Sequence, residues 1–204
     1  MKSCRISPTA SETTQILLTT APCPFGDSVL AWVEEPRTTI LKVFLPGERE
    51  AKQLAWACYP DSLLVEGNSL PLPLMQARAF IIALFEGTQT EPFPLSMLDL
   101  ERLSPFQQTV LRTEAQVRRG EICTYQQLAQ AAGHPKGSRI AGQALARNPF
   151  PLLIPCHRAI GSDGSLTGYQ GGLAMKRYLL EREQVPFLDD GRVDLARVKR
   201  AVFT

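Results

Sequence analysis

In the first half of the chain, short apolar and β-branched runs alternate with turn-forming clusters. Residues 15–20, 28–33 and 38–44 are such runs, bounded by Pro, Gly and Asp, and they predict a small antiparallel sheet. The period then changes: Leu74, Ala77, Ile81, Leu84 and Phe85 recur at helical spacing between Pro71 and Gly87, predicting a helix packed on that sheet. Residues 88–103, with Pro92 and Pro94, read as an extended linker.

The second half opens with a helix signal. Ser104 suits an N-cap, Pro105 the first helical position and Gln107 the capping-box position, with Phe106, Val110, Thr113 and Val117 on one face, so a helix should run to near Gly120. A second box, Thr124 with Gln127, starts a short helix closed by Gly133. After His134 and Pro135, residues 136–147 should be helical and stop at Asn148, because the residue before Pro149 is pushed out of the α region. Two short helices joined by a tight turn are a helix-turn-helix. Gly137, Ala141 and Ala144 form a slim stripe on the second helix, suited to a DNA groove or to helix packing alike, and Arg139, Gln143 and Arg147 form a polar one. The run 152–154 looks like a strand, residues 162–165 like a turn, 168–172 like a flexible loop and 173–183 like an amphipathic helix. The expected organisation is α/β (α+β): a first unit at 1–87, a linker at 88–103, a second unit at 104–187 and an extension at 188–204.

The chemistry concentrates where the run 152–154 meets Pro155. There a thiol, an imidazole and a guanidinium follow in succession at Cys156, His157 and Arg158. A cysteine is mostly protonated at neutral pH, with an unperturbed pKa of about 8.5, so a nucleophilic one needs a partner that favours the thiolate. His157 is the candidate partner, and Glu183 could reach back to orient the imidazole.

Composition narrows the class. With 204 residues, 44% hydrophobic and 21% charged, the chain is of globular type, and no run of about 18 apolar residues predicts a membrane span. The first 15 residues are polar and lack the apolar core of a signal peptide, so an intracellular protein is expected, cytoplasmic or, in a eukaryote, nuclear. Five widely spaced cysteines (4, 23, 58, 123, 156) fit reduced thiols. Cys4, Cys23 and Cys58 could ligate zinc, yet no histidine precedes His134, so no metal is predicted. The net charge of +2 hides an asymmetry, with 7 Lys and Arg against 11 Asp and Glu in residues 1–100 but 15 against 9 thereafter. A basic second half suggests a polyanionic partner.

Phe106-Gln107-Gln108, residues 124–129, Arg139, Arg147-Asn148-Pro149, residues 154–158 and 171–176 together resemble the O6-alkylguanine-DNA alkyltransferase family. The resemblance covers residues 104–183 motif by motif and the first hundred residues only in layout. It implies a small RNase H-like N-terminal domain with a sheet and helix, and a mostly helical C-terminal domain that binds DNA and carries the active cysteine. It implies further that Cys156 accepts an alkyl group, that His157 draws its proton through a water, that Glu183 holds the imidazole and that Asn148 supports the active-site turn. Tyr125 would donate a proton to the guanine ring and help turn the nucleotide out of the duplex, while Arg139 fills the gap. Gln126, Gly137, Ser138, Ala141 and Gly142 would join Tyr125 and Arg139 on the DNA. The implied partner is double-stranded DNA containing O6-alkylguanine, with O4-alkylthymine a lesser substrate, met by a monomer without cofactor or membrane. Two other classes compete: a lesion-binding protein without chemistry, which the intact Cys156-His157 pair argues against, and a cysteine hydrolase, which leaves the helix-turn-helix unexplained.

Overall fold

The computed structural model describes residues 14–67 and 70–203. Strands β1 (Leu17–Cys23), β2 (Gly26–Val33) and β3 (Thr39–Phe44) form an antiparallel meander, and the short β4 (Leu63–Leu64) pairs parallel to β1, giving the order β3-β2-β1-β4. Alternation along these strands sends side chains to opposite faces. Leu18, Val29, Ala31 and Phe44 pack with α1 (Ala51–Cys58), while Ala21, Leu30, Trp32, Ile40 and Val43 join the main core with α2 (Leu72–Glu86). A sheet covered on both faces keeps few polar positions, which is why β2 is continuously apolar from Val29 to Val33. On α2 the buried residues are Leu74, Ala77, Ile81, Leu84 and Phe85, and Gly87 ends the helix in the left-handed conformation at φ 75°.

Two 3₁₀ turns, Leu95–Met97 and Leu100–Arg102, give the linker local structure, and Leu98 bridges back to Ile40. Helix α3 (Pro105–Glu114) starts as its capping signals require, with the Ser104 side chain accepting from the Gln107 N–H at 3.3 Å. It ends six residues before Gly120. The N–H groups of Gln116 and Val117 bond three residues back, to Thr113 and Glu114, so the chain tightens into a turn that still buries Val117. Strand β5 (Glu121–Thr124) follows, then α4 (Tyr125–Ala131) behind a complete Thr124–Gln127 capping box, and α5 (Ser138–Ala146). Strand β6 (Ala159–Ile160) pairs with β5, α6 spans Gly172–Arg182, and β7 (Lys199–Arg200) pairs with the other edge of β5. The extension is therefore built in: Val193 and Val198 pack with Ile122, Ile160 and Leu180.

One apolar core runs through both halves, from Leu30 and Phe85 to Leu153 and Met175. Arg119 donates from Nη2 to the carbonyls of Gly87 and Arg182 at 2.7 and 2.8 Å, and the Val43 N–H donates to the Pro149 carbonyl at 2.8 Å. The expectation of reduced cysteines needs correction, because Cys58 is disulfide-bonded while Cys23, Cys123 and Cys156 are free. An odd count forbids complete pairing but not a single pair, and a chain able to fold without staples is not barred from having one. Cys58 is thus no zinc-ligand candidate, and Cys4 lies outside the described residues. No helix among the described residues is long and apolar enough to cross a membrane.

Candidate active site

The run 152–154 is a tight turn, not a strand. Pro151 and Ile154 form an isolated bridge, the Ile154 N–H returns to the Phe150 carbonyl at 2.8 Å, and Leu152 adopts φ 71°. A buried leucine in left-handed backbone is strained by about 1–3 kcal/mol, which neighbouring contacts must offset. The apolar run is continuous because all three side chains are buried in the turn, a pattern that hydrophobicity alone cannot tell from a buried strand.

Cys156–Arg158 then forms a 3₁₀ turn. The Cys156 side chain lies in the wall of a cavity of about 310 Å³, with Tyr125, Gly142, Leu145, Ala146, Gly168, Tyr169 and Gln170 around it. Asn148, itself buried, ties the site together. Its Nδ2 donates to Cys156 Sγ at 3.4 Å, its Oδ1 accepts from the Phe150 N–H at 2.9 Å, and its carbonyl accepts from Gln170 Nε2 at 2.7 Å. Burial pushes the Cys156 thiol up to about 11, the Asn148 bond and the Lys176 charge pulling it down and the Glu114 charge adding to the rise. The resting nucleophile is therefore a thiol, contrary to the expectation that His157 would favour the thiolate.

His157 is buried, and its Nε2 lies 2.9 Å from Glu183 Oε1. Burial lowers the imidazole pKa against the pull of Glu183, so the ring is neutral at pH 7. Nε2–H then faces the carboxylate and Nδ1, which has no hydrogen-bond partner, is left as a base. Arg158 completes the cluster with a bidentate grip on Glu183, Nε to Oε2 at 2.9 Å and Nη2 to Oε1 at 2.7 Å, and with Nη1 on the Val117 carbonyl at 2.6 Å. Burial alone would raise the Glu183 carboxyl, but His157 and Arg158 hold it at about 2.

Tyr125 enters from the first turn of α4. Its hydroxyl accepts from Thr167 Oγ1 at 2.8 Å, which leaves the phenolic proton free to donate, and burial raises its pKa. Arg139 is exposed on α5 together with Gln143, and Arg147 is exposed just past the helix end. Gln126 is exposed on α4, where its amide donates to the Pro135 carbonyl. Gly142 lines the cavity, with Tyr125 Cδ1 3.6 Å from where its Cβ would stand. Ser138 and Gly137 lie half-buried at the start of α5, where a Cβ on Gly137 would come within 2.9 Å of the His134 carbonyl. Ala141 is fully buried and Ala144 nearly so, so the slim stripe packs helix on helix and Ala141 has no surface to offer DNA.

Two buried charges escaped the sequence reading. Glu114 and Lys176 are both 0% exposed. Glu114 follows Val110 and Leu111 on a buried face, and Lys176 stands four residues before Leu180 on another, so a charge inside an apolar stripe was the available signal.

Residues 105–185 match the family model described as "6-O-methylguanine DNA methyltransferase, DNA binding domain". A human protein named methylated-DNA–protein-cysteine methyltransferase is 42% identical over 117 residues, 55% of this chain and 56% of that protein, so the match spans little more than half of it. A Cricetulus griseus protein of the same name is 36% identical over 181 residues, 86% of each chain. Among solved structures, Mycobacterium tuberculosis OGT in complex with DNA superposes with a TM-score of 0.65 at 30% identity, covering 82% of this chain and 92% of that one.

Proposed function

Because the chain belongs to the methylated-DNA–protein-cysteine methyltransferase family, we propose that it repairs DNA by moving the alkyl group of O6-alkylguanine onto its own Cys156. The observation that carries this reading is a thiol set in a base-sized cavity that opens beside a helix-turn-helix, with an imidazole–carboxylate pair next to it. Duplex DNA is the partner, in line with the relative solved with DNA, and the protein acts as a monomer. O4-alkylthymine is a lesser substrate.

The target oxygen is paired inside the duplex, so the nucleotide must leave the stack, at a cost of a few kcal/mol. Arg139, exposed on α5, would enter the gap, with Ser138, Gly137 and Gln126 meeting the DNA around it. Inside the cavity the Cys156 sulfur attacks the alkyl carbon, forming a C–S bond as the C–O6 bond breaks. With the thiol held near 11, its proton leaves as the bond forms, through a water to His157 Nδ1, and Glu183 steadies the imidazolium. Tyr125 gives its phenolic proton to the guanine ring as O6 becomes a carbonyl, so the base departs neutral. Asn148 keeps the sulfur aimed at the cavity. The product thioether has no acyl carbon for water to attack, so each molecule reacts once.

Mixing the protein with excess O6-methylguanine duplex and weighing the Cys156 peptide tests this. One methyl per molecule, with repair stopping at the protein concentration, is the expected result. Cys156→Ala should abolish repair while keeping duplex affinity within about twofold, since binding rests on phosphate contacts. Repaired DNA with unmodified Cys156 would mean hydrolysis, and unrepaired DNA at unchanged affinity would mean lesion binding alone.

A further inference from the structure

Behind Cys156 and Tyr125 lies a layer that the mechanism above leaves unused. Glu114, on the last turn of α3, is completely buried. Its Oε2 accepts from Cys123 Sγ at 3.2 Å, and its Oε1 has no partner. Cys123 on β5 stands opposite Ala159 of β6, whose carbonyl accepts from Lys176 Nζ at 2.6 Å. Lys176 also donates to the Thr167 carbonyl at 3.2 Å and stands 5.9 Å from the Tyr125 ring centre. Tyr125 is two residues from Cys123, and Cys156 is three from Ala159, so both reacting side chains are rooted in this layer.

We infer that Glu114 is a positioning residue for alkyl transfer: uncharged, it leaves the Lys176 charge free to favour sulfur anion and phenolate character in the cavity, and ionised, it cancels that charge. This role rests on the alkyl-transfer reading of Cys156. The geometry favours the acid form. An ionised carboxylate needs several donors, and Glu114 has one weak thiol donor and no ion pair within 4.0 Å, because the Lys176 ammonium is turned toward two carbonyls. Burial accordingly pushes Glu114 up to about 7, with the Cys123 bond and the charges of Lys176 and Arg158 opposing. The groups that face it are Cys123 of β5, Lys176 of α6, Arg158 and Cys156 of the 3₁₀ turn, and Tyr125 of α4. His157 is neutral and points its Nε2 to Glu183. As pH rises through neutrality, an anion appears behind the sulfur just as hydroxide would otherwise help to deprotonate it.

Two rates should be followed between pH 6 and 9 in the wild type and in Glu114→Gln: single-turnover methyl transfer from duplex DNA, and iodoacetamide labelling of the Cys156 peptide. In the wild type both should flatten above neutrality. In Glu114→Gln both should keep rising, reaching about threefold or more above wild type at pH 8.5 while agreeing at pH 6. Cys123→Val provides a second arm, since removing the thiol donor should move the wild-type inflection to higher pH. Parallel profiles in all three proteins, whatever their stabilities, would overturn the inference. A labelling profile that changes as described in proteins that transfer no methyl would keep the role of Glu114 and sink the alkyl-transfer reading instead.

Discussion

Two buried carboxyl groups set the character of the site, and each is held differently. Glu183 is anionic because Arg158 grips it in two places and His157 in a third, and a carboxyl kept at about 2 stabilises the fold because the native state favours its ionised form more than the unfolded chain does. That contribution, about 3 kcal/mol, is fully present above the unfolded value near 4.5 and is lost as pH falls toward 2. Glu114 works in the opposite sense. Its folded value of about 7 favours the native state fully below 4.5, and that advantage disappears as pH rises through 7. Urea unfolding across pH 2.5–8 should therefore give, from these two groups, a stability maximum near pH 4.5 with losses on both sides. Glu114→Gln should flatten the neutral limb. Glu183→Gln should flatten the acid limb and also cost about 3–5 kcal/mol at pH 7, since it leaves Arg158 buried without its counter-charge. Unchanged limbs in either variant would mean that the carboxyl in question is not the group responsible.

At the level of elements, α4 and α5 divide the work. Helix α4 delivers Tyr125 into the cavity, and α5 buries Ala141, Ala144 and Leu145 while leaving Arg139 and Gln143 in solvent. If Arg139 fills the space of a departed base, Arg139→Ala should slow repair of duplex DNA by about tenfold or more, the few kcal/mol of unstacking being no longer offset. Its reaction with free O6-alkylguanine base, which needs no extrusion, should stay within about twofold of wild type. Equal slowing on both substrates would place Arg139 in the chemistry or the fold. Much of this was legible beforehand. The capping residues Ser104, Thr124 and Gln127 act at backbone donors next to them, and α2 buries the five residues that its spacing selects. What escaped depends on distant partners. Strands β5, β6 and β7 are two to four residues long and exist because they pair with one another across the chain, and α3 ends early because Val117 and Glu114 are drawn into the core rather than by any local stop signal. The pair Cys156–His157 was visible, yet the high pKa of the thiol comes from its burial in the folded turn, against the pull of Asn148, which no local pattern encodes.

The whole molecule matters because the site is held from both halves. The edge strand β3 donates from Val43 to the Pro149 carbonyl, Asn148 next to it bonds to the Cys156 sulfur, and Leu145 and Ala146 of α5 line the same cavity. Sheet, active-site turn and helix-turn-helix thus meet within a few residues. An alkyl group left on Cys156 must lodge in that junction. A thioether sulfur is a poorer acceptor for Asn148 Nδ2, and the added carbon presses on a turn already carrying Leu152 in left-handed backbone. Well-packed interiors absorb an added methyl at about 1–3 kcal/mol, which for a chain of this size lowers the melting temperature by roughly 2–12 °C. Calorimetry of fully methylated against free protein should show that drop, larger for a benzyl adduct if the adduct enters the cavity wall. Limited proteolysis of the methylated protein should cut first near Asn148–Pro151, where the strain is relieved by letting α5 part from the active-site turn. A methylated protein that melts at or above the free form would mean that the cavity accepts the adduct without displacing Asn148, and the turn could not then report the spent state to the DNA-binding helix.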